Sequence, residues 1–231
     1  MQRHFDDELR QLHEDLLKMG ALAEEAIADS ISALQEQNKV LANKVISSDT
    51  IVDELENTIN ERCLTLLALR QPMATDLRYI TTAMSINNEL ERIADLAVDI
   101  AQQAIKLSGK PLLKPLVDIP KLCSMSRRMV KDAIDSYVKR DTELARRVIK
   151  LEPEADSVRN YIRDELIYEY ISKDPSAAPK AIPLLLIAQC LERICDHATN
   201  IAEDVVYIVA ARMVKHHLDL LSSDENGEKQ P

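Results

Sequence analysis

The stretch Leu90–Ala101, LERIADLAVDIA, occurs a second time in the chain as Leu191–Ala202, LERICDHATNIA. Eight of the twelve positions are identical, and the two copies start 101 residues apart. In each copy a Glu is followed four positions later by an Asp. On an α-helix this spacing puts both carboxylates on one face, where they repel each other. The repeat therefore predicts two related helices, each with an acidic face that an arginine or a bound cation would neutralise.

The composition of the 231-residue chain favours long helices and excludes several functions. Gly occurs three times, Phe once and Trp never, whereas Leu, Ile, Ala, Glu and Lys are frequent. A net charge of −10 without a basic run is unsuited to nucleic-acid binding. The longest apolar run, Ala181–Ala188, is far below the ~20 residues that span a bilayer, and the N-terminus has no signal-peptide core. We therefore expect an all-α cytoplasmic protein that neither binds nucleic acid nor inserts into a membrane.

Helical periodicity predicts three long helices in each half of the chain. The predicted helices are Asp6–Ile46, Thr50–Leu69 and Ala74–Leu107 in the first half and Ile119–Ile149, Pro153–Ser172 and Ala177–Leu218 in the second. Ser47–Asp49 provides turn and N-cap chemistry for the first connection, and Gln71-Pro72 ends the second helix. The second-half boundaries follow from the repeat, which starts at a shift of 103 residues and ends at a shift of 101.

Residues 109–118 contain the densest group of helix breakers, and we place the domain boundary there. Gly109, Pro111 and Pro115 lie within ten residues of chain. The sequence thus predicts an all-α fold of two tandem, internally repeated three-helix bundles, residues 1–108 and 119–218. The polar residues 219–231 are predicted to be a disordered tail.

Acidic pairs recur at matched places in both halves, one on the second helix and one on the third. Carboxylate and amide oxygens from two neighbouring helices are suited to Mg, Mn, Ca or Fe. The candidate metal ligands are Asp49, Asp53, Glu91, Asp95 and Asp99 in the first half and Glu152, Asp156, Glu192, Asp196 and Asn200 in the second. The alternative is an exposed acidic face partly neutralised by Arg62, Arg92, Arg163 and Arg193.

Motifs for catalysis or nucleotide binding are absent from the sequence. It has no GxGxxG, GxxxxGK[ST], GxSxG or HExxH pattern. We predict neither catalytic nor organic-cofactor-binding residues. Two alternatives to a non-catalytic regulator remain: a metalloenzyme that uses the carboxylate clusters, and a structural or metal-storing helical protein.

Three segments of the chain resemble the PhoU family of phosphate-uptake regulators. They are RQPMATDLRYI (70–80), NELERIADLAVDIA (88–101) and CLERICDHATNIAEDV (190–205), and the resemblance extends over residues 8–215. It implies a cytoplasmic protein of two three-helix bundles, usually a homodimer. It further implies a negative regulator of the phosphate-starvation response that links the ATPase subunit of the Pst ABC transporter to a PhoR-type sensor histidine kinase.

The resemblance also implies a metal, because some family members hold iron, zinc, manganese or magnesium on matching acidic motifs. It carries these motifs over to the four acidic pairs, Asp49/Asp53, Glu91/Asp95, Glu152/Asp156 and Glu192/Asp196. Asn200 stands where the first half has Asp99, so the second set departs from a fully acidic repeat. The family name leaves open which of these metals binds.

Overall fold

A computed structural model describes residues 2–70 and 72–210 of the chain, and these residues form six long α-helices and no strand. The helices are α1 (Gln2–Gln35), α2 (Lys39–Arg70), α3 (Ala74–Leu107), α4 (Asp118–Lys139), α5 (Thr142–Asp164) and α6 (Ala178–Ala210). A π-helical segment, Glu165–Ile171, continues α5, and a 3₁₀ turn, Pro175–Ala177, precedes α6. The predicted all-α fold with three helices in each half is confirmed. Every helix in the described ranges is too short or too polar to span a bilayer.

The six helices pack as two three-helix units that share one hydrophobic core. Helices α1, α2 and α3 contact one another, as do α4, α5 and α6. The most extensive helix contact joins α3 to α6 across the two halves, and α1 also packs against α4. Buried apolar side chains from all six helices form a single continuous cluster. The division of the chain into two domains at residues 109–118 stays a prediction, and the two units are joined through their cores.

Helices α3 and α6 run antiparallel, with polar contacts along their seam. The Ser85 hydroxyl donates to Asp204 Oδ2 at 2.7 Å, and His197 Nδ1 lies 2.5 Å from Glu89 Oε2. Residue numbers along α3 therefore rise as those of their α6 partners fall. Because α3 and α6 carry the two copies of the repeat, this pairing relates the halves by an approximate two-fold axis.

The predicted end of the first helix is wrong, because α1 stops at Gln35 rather than at Ile46. Gln37 adopts a left-handed conformation with φ 51°, and Asn38 Oδ1 accepts the backbone N–H of Leu41 at 3.1 Å. The predicted turn at Ser47–Asp49 lies inside α2 instead. There the Ser47 hydroxyl donates to the Lys44 carbonyl at 3.0 Å, so it is satisfied within the helix and caps nothing.

The corresponding correction applies to the second half, where the predicted helix Ile119–Ile149 breaks after Lys139. Arg140 has φ 53°, and Asp141 Oδ1 accepts the backbone N–H of Leu144 at 3.0 Å. Pro153, predicted to start the next helix, lies inside α5. The turns at Gln37 and Arg140 lie 103 positions apart, as do the capping residues Asn38 and Asp141. The repeat therefore includes the helix caps. Residues 211–218 of the last predicted helix and the predicted tail 219–231 lie outside the described residues.

Candidate functional site

The first acidic cluster lies where the early part of α2 packs against the later part of α3. Burial raises the pKa of Asp49, and the charges of Asp53 and Asp95 raise it further. The pairs predicted on two different helices therefore do lie close together. A groove of about 250 Å³ opens beside Asp49, with Lys44 at its rim and apolar side chains of α1, α2 and α3 along its walls.

Glu91 is a partly buried carboxylate of the first cluster, with 18% of its side chain exposed. Burial raises the pKa of Glu91, with further increases from Asp95 and Glu56, while Arg92 lowers it. Glu91 Oε2 is buried and accepts no hydrogen bond, although Arg92 Nε lies 3.3 Å away. Glu56, one turn beyond Asp53, was missed in the sequence analysis. Its i+3 spacing from Asp53 was the available signal, because that spacing extends the acidic face of α2.

The second acidic cluster lies at the matching place between α5 and α6. Burial raises the pKa of Asp196 to about 6, and the charges of Glu192 and Asp156 contribute to that rise. Burial also raises the pKa of the Cys195 thiol, with contributions from the same three carboxylates and from Glu152. All four predicted carboxylates of the second half are thus gathered around one buried thiol. Their role as metal ligands stays a prediction.

The second cluster contains a cation of its own. Arg159 Nη2 donates to Glu192 Oε1 at 2.5 Å, and the Arg159 charge lowers the pKa of Asp196. Arg159 follows Glu56 by 103 positions, which is the shift that aligns α2 with α5. The second half therefore has an arginine in contact with Glu192 at the position where the first half has Glu56, whose charge raises the pKa of Glu91. Arg159 could not be recognised from the repeat, because a repeat is detected from matching residues and Arg159 differs in charge from its equivalent Glu56.

Asp99 and Asn200 lie towards the α3–α6 seam rather than with the acidic pairs. Asn200 Nδ2 donates to Glu89 Oε2 at 3.3 Å. Burial raises the pKa of the Cys190 thiol to about 11, and the charge of Asp99 adds to this rise. Cys190 and Glu89 are themselves repeat equivalents, so the two interactions are related by the approximate two-fold axis. The predicted third ligand of each site therefore interacts with the opposite half rather than with the acidic pairs.

The two clusters differ in their fit to a metal ion. Within the described ranges, no three His, Cys, Asp or Glu side chains are arranged to hold one. The first cluster gathers carboxylates that disfavour one another's charge, and carboxylate oxygens are the donor type that hard cations prefer. The second cluster fits less well, because Arg159 reaches Glu192 from the facing helix α5 at 2.5 Å, whereas the more exposed Arg92 lies 3.3 Å from Glu91 and Asp95 on its own helix.

Two copies of a three-helix unit, each with acidic pairs on its second and third helices, define a class of tandem-repeat helical proteins. The family model described as PhoU domain matches the chain twice, over residues 16–104 and 119–205. These two matches span well over half of the chain and one copy of the repeat each. The chain belongs to the PhoU family.

Relatives and solved structures match over most of their length. The chain is 35% identical over 211 residues to the phosphate-specific transport system accessory protein PhoU homolog of Clostridium acetobutylicum, covering 91% of this chain and 96% of the relative. The identically named Aquifex aeolicus homolog is 39% identical over 209 residues, covering 90% and 94%. The crystal structure of PhoU from Pseudomonas aeruginosa superposes with a TM-score of 0.86 at 34% identity, covering 90% of this chain and all of that one. The phosphate transport system regulatory protein PhoU from Streptococcus pneumoniae gives 0.84 at 27% identity, covering 91% and 99%.

Proposed function

We propose that this protein is a regulatory accessory protein of phosphate transport that restrains phosphate uptake and the phosphate-starvation response. The observation that carries the proposal is the near full-length match to relatives named as accessory proteins of the phosphate-specific transport system. That match includes both copies of the LER repeat. A regulator of this kind acts through its surface and shape, and long helices around one shared core provide a rigid surface.

The proposed mechanism is a cytoplasmic bridge between the ATPase subunit of a Pst-type ABC transporter and a PhoR-type sensor histidine kinase. When phosphate is ample, the bridge keeps the kinase inactive. Two features of the chain support a bridge: its halves have the same helical arrangement, and their partly buried acidic clusters differ at Glu56 and Arg159. One chain therefore presents two similar faces of different charge, which suits two different protein partners.

The first test is genetic. Deleting the gene is expected to make alkaline phosphatase constitutive in phosphate-rich medium, because the kinase is no longer restrained. Supplying the wild-type gene on a plasmid is expected to restore repression, and an empty plasmid is the control. Normal repression in the deletion strain would contradict the proposed function.

The second test concerns the partners and the oligomeric state. Purified chain is expected to co-purify with the transporter ATPase subunit and with the cytoplasmic part of the kinase. An unrelated ABC ATPase and an unrelated histidine kinase serve as controls. Light scattering on the purified chain is expected to give the mass of a homodimer. Failure to retain either partner would remove the bridge from the proposal while leaving a regulatory role open to the genetic test.

The cysteines support a regulator rather than a thiol-dependent enzyme. Burial raises the pKa of Cys63 to about 12 and that of Cys123 to about 11. At neutral pH these side chains stay protonated, and a protonated thiol is a poor nucleophile. Both cysteines are free and buried, so they contribute to packing.

We also propose that the first acidic cluster binds a cation of the iron, zinc, manganese or magnesium type. Asp49, Asp53, Glu91 and Asp95, with Glu56, would hold the ion, which would offset their mutual repulsion and join α2 to α3. The groove beside Asp49 gives an ion access from solvent. Elemental analysis of untagged protein is expected to find metal in the wild type and to lose it in Asp95→Asn. Metal-free wild type that takes up none on titration would contradict this part of the proposal.

A further inference from the structure

The two acidic clusters differ in charge at one structurally equivalent position. In the first half, this position on α2 holds Glu56, a carboxylate. In the second half, Arg159 Nη2 donates to Glu192 Oε1 at 2.5 Å. The positions are equivalent along both helices, because the repeat aligns Glu56 with Arg159 and Glu91 with Glu192. A pair of like charges in one half therefore corresponds to an ion pair in the other.

The other basic residues near the clusters are arranged differently from Arg159. His197, next to Asp196, pairs with Glu89 across the α3–α6 seam at 2.5 Å. Arg92 approaches Glu91 and Asp95 from the solvent side at 3.3 Å, with its own side chain 55% exposed. The repeat equivalent of Arg92 is Arg193, which is exposed as well. Arg159 is less exposed than Arg92, because 26% of its side chain is exposed against 55% for Arg92. Its partner Glu192 is 13% exposed. The equivalent position on the second helix of each half thus carries a negative charge in the first cluster and, in the second, a positive charge in contact with Glu192.

We propose that Arg159 is the built-in counter-cation of the second cluster and closes that cluster to divalent metal ions. A divalent ion entering there would meet the guanidinium charge at close range and would compete with it for Glu192. Releasing Arg159 would leave a partly buried guanidinium without its carboxylate, which is costly. Metal uptake is therefore confined to the first cluster. This inference rests on the metal-binding part of the proposed function, and it assigns the two halves different occupants.

The test is equilibrium dialysis of full-length, chelator-stripped protein against Mn²⁺, with bound metal measured per chain. Wild-type binding is expected to be lost in Asp95→Asn and retained in Asp196→Asn. Arg159→Glu recreates the acidic position of the first half. It is expected to about double the bound Mn²⁺, because two carboxylate clusters rather than one are then open. Adding Asp196→Asn to that variant is expected to remove the gain.

Two further variants guard against misfolding and against a general charge effect. Arg159→Gln removes the guanidinium charge with less disturbance and is expected to give a smaller gain. Arg128→Glu makes the same charge change on α4, where the native arginine is 73% exposed and lies 3.5 Å from Asp132. It is expected to leave Mn²⁺ binding unchanged. Circular dichroism of every variant checks that the helices are retained.

The outcomes separate this inference from the proposal beneath it. Wild-type binding that falls as much in Asp196→Asn as in Asp95→Asn would overturn the inference and leave metal binding intact. A wild type that binds no Mn²⁺, beside an Arg159→Glu variant that does, would contradict metal binding at the first cluster and support the closing role of Arg159. Absence of binding in both would overturn both.

Discussion

The two halves of the chain agree closely in backbone and differ in the charge placed between their second and third helices. Gln37 and Arg140 both turn the chain with positive φ, and Asn38 and Asp141 both cap the helix that follows. Between α2 and α3, by contrast, Glu56 adds to the repulsion, whereas Arg159 relieves it between α5 and α6. Backbone geometry has stayed fixed in both copies while the buried charge has not. The clusters therefore differ in charge even though one helical frame positions both.

The largest expected effect tests the shared core. Leu90 and Leu191 occupy equivalent positions in the two copies and are both fully buried. Leu90→Ala and Leu191→Ala are each expected to lower the free energy of unfolding by about 3 kcal/mol, from lost burial and a residual cavity. Urea unfolding is expected to show a single transition in both variants, because all six helices contribute to one cluster. Val40→Ala, at 81% exposure, is the control, with an effect within about 0.5 kcal/mol.

Two separate transitions in either leucine variant would contradict the shared core. That result would instead support the domain boundary predicted at residues 109–118. A large difference between the two leucine variants would show that the halves differ in packing as well as in charge.

The next effect concerns the second cluster and depends on pH. The pKa of Asp196 is raised from 3.8 to about 6, so the folded state holds its proton more tightly than the unfolded state. The contribution of Asp196 to stability is therefore fully present below its unfolded pKa and is lost as the pH rises through about 6, by about 1–2 kcal/mol after solvent screening. Asp196→Asn is expected to remove this loss. Urea unfolding with chelator at about pH 4 and pH 7.5 measures it.

Glu54→Gln, an exposed change on α2, is the control and should leave the pH dependence as in the wild type. Equal pH dependence in the wild type and in Asp196→Asn would show that burial at this position disfavours the charge far less than its surroundings indicate.

A smaller effect tests the equivalence of the two turns. Asn38→Ala and Asp141→Ala each remove an N-cap and are expected to cost about 1 kcal/mol of stability. Asp141→Asn preserves the acceptor and is expected to cost only a fraction of that. Thermal unfolding of the three variants measures the comparison. Clearly unequal losses in the two alanine variants would show that the turns, although alike in geometry, are stabilised differently.

The smallest effect tests the repulsion between Glu56 and Glu91 in the first cluster. Glu56→Gln removes one of the charges near Glu91 and keeps the side chain's size. With chelator present, it is expected to stabilise the protein by a few tenths of a kcal/mol. Chemical unfolding of the wild type and of the variant gives the difference. Destabilisation would show that the Glu56 carboxylate has a favourable partner in the folded protein that outweighs repulsion.

The sequence predicted the fold class, the repeat and the pairing of acidic residues, because each follows from periodicity and spacing. It misplaced both interior turns, since neither Gln37 nor Arg140 is a residue type that usually marks a left-handed turn. The boundaries were predicted at Ser47 and Pro153 because serine and proline are common at helix starts, but both residues lie inside helices. The ion pair of Arg159 with Glu192 was out of reach, because it depends on how α5 faces α6.

The approximate two-fold axis across α3 and α6 relates two similar halves within one chain, so the halves stay together, whereas two separate subunits can dissociate. Two identical subunits would need a concentration at which they meet, and any substitution in one would appear in the other. A tandem copy keeps its two sites at a fixed one-to-one ratio at any dilution. It also lets the residues of each site change independently. Two identical subunits could not carry Glu56 in one site and Arg159 in the other, whereas a tandem repeat can.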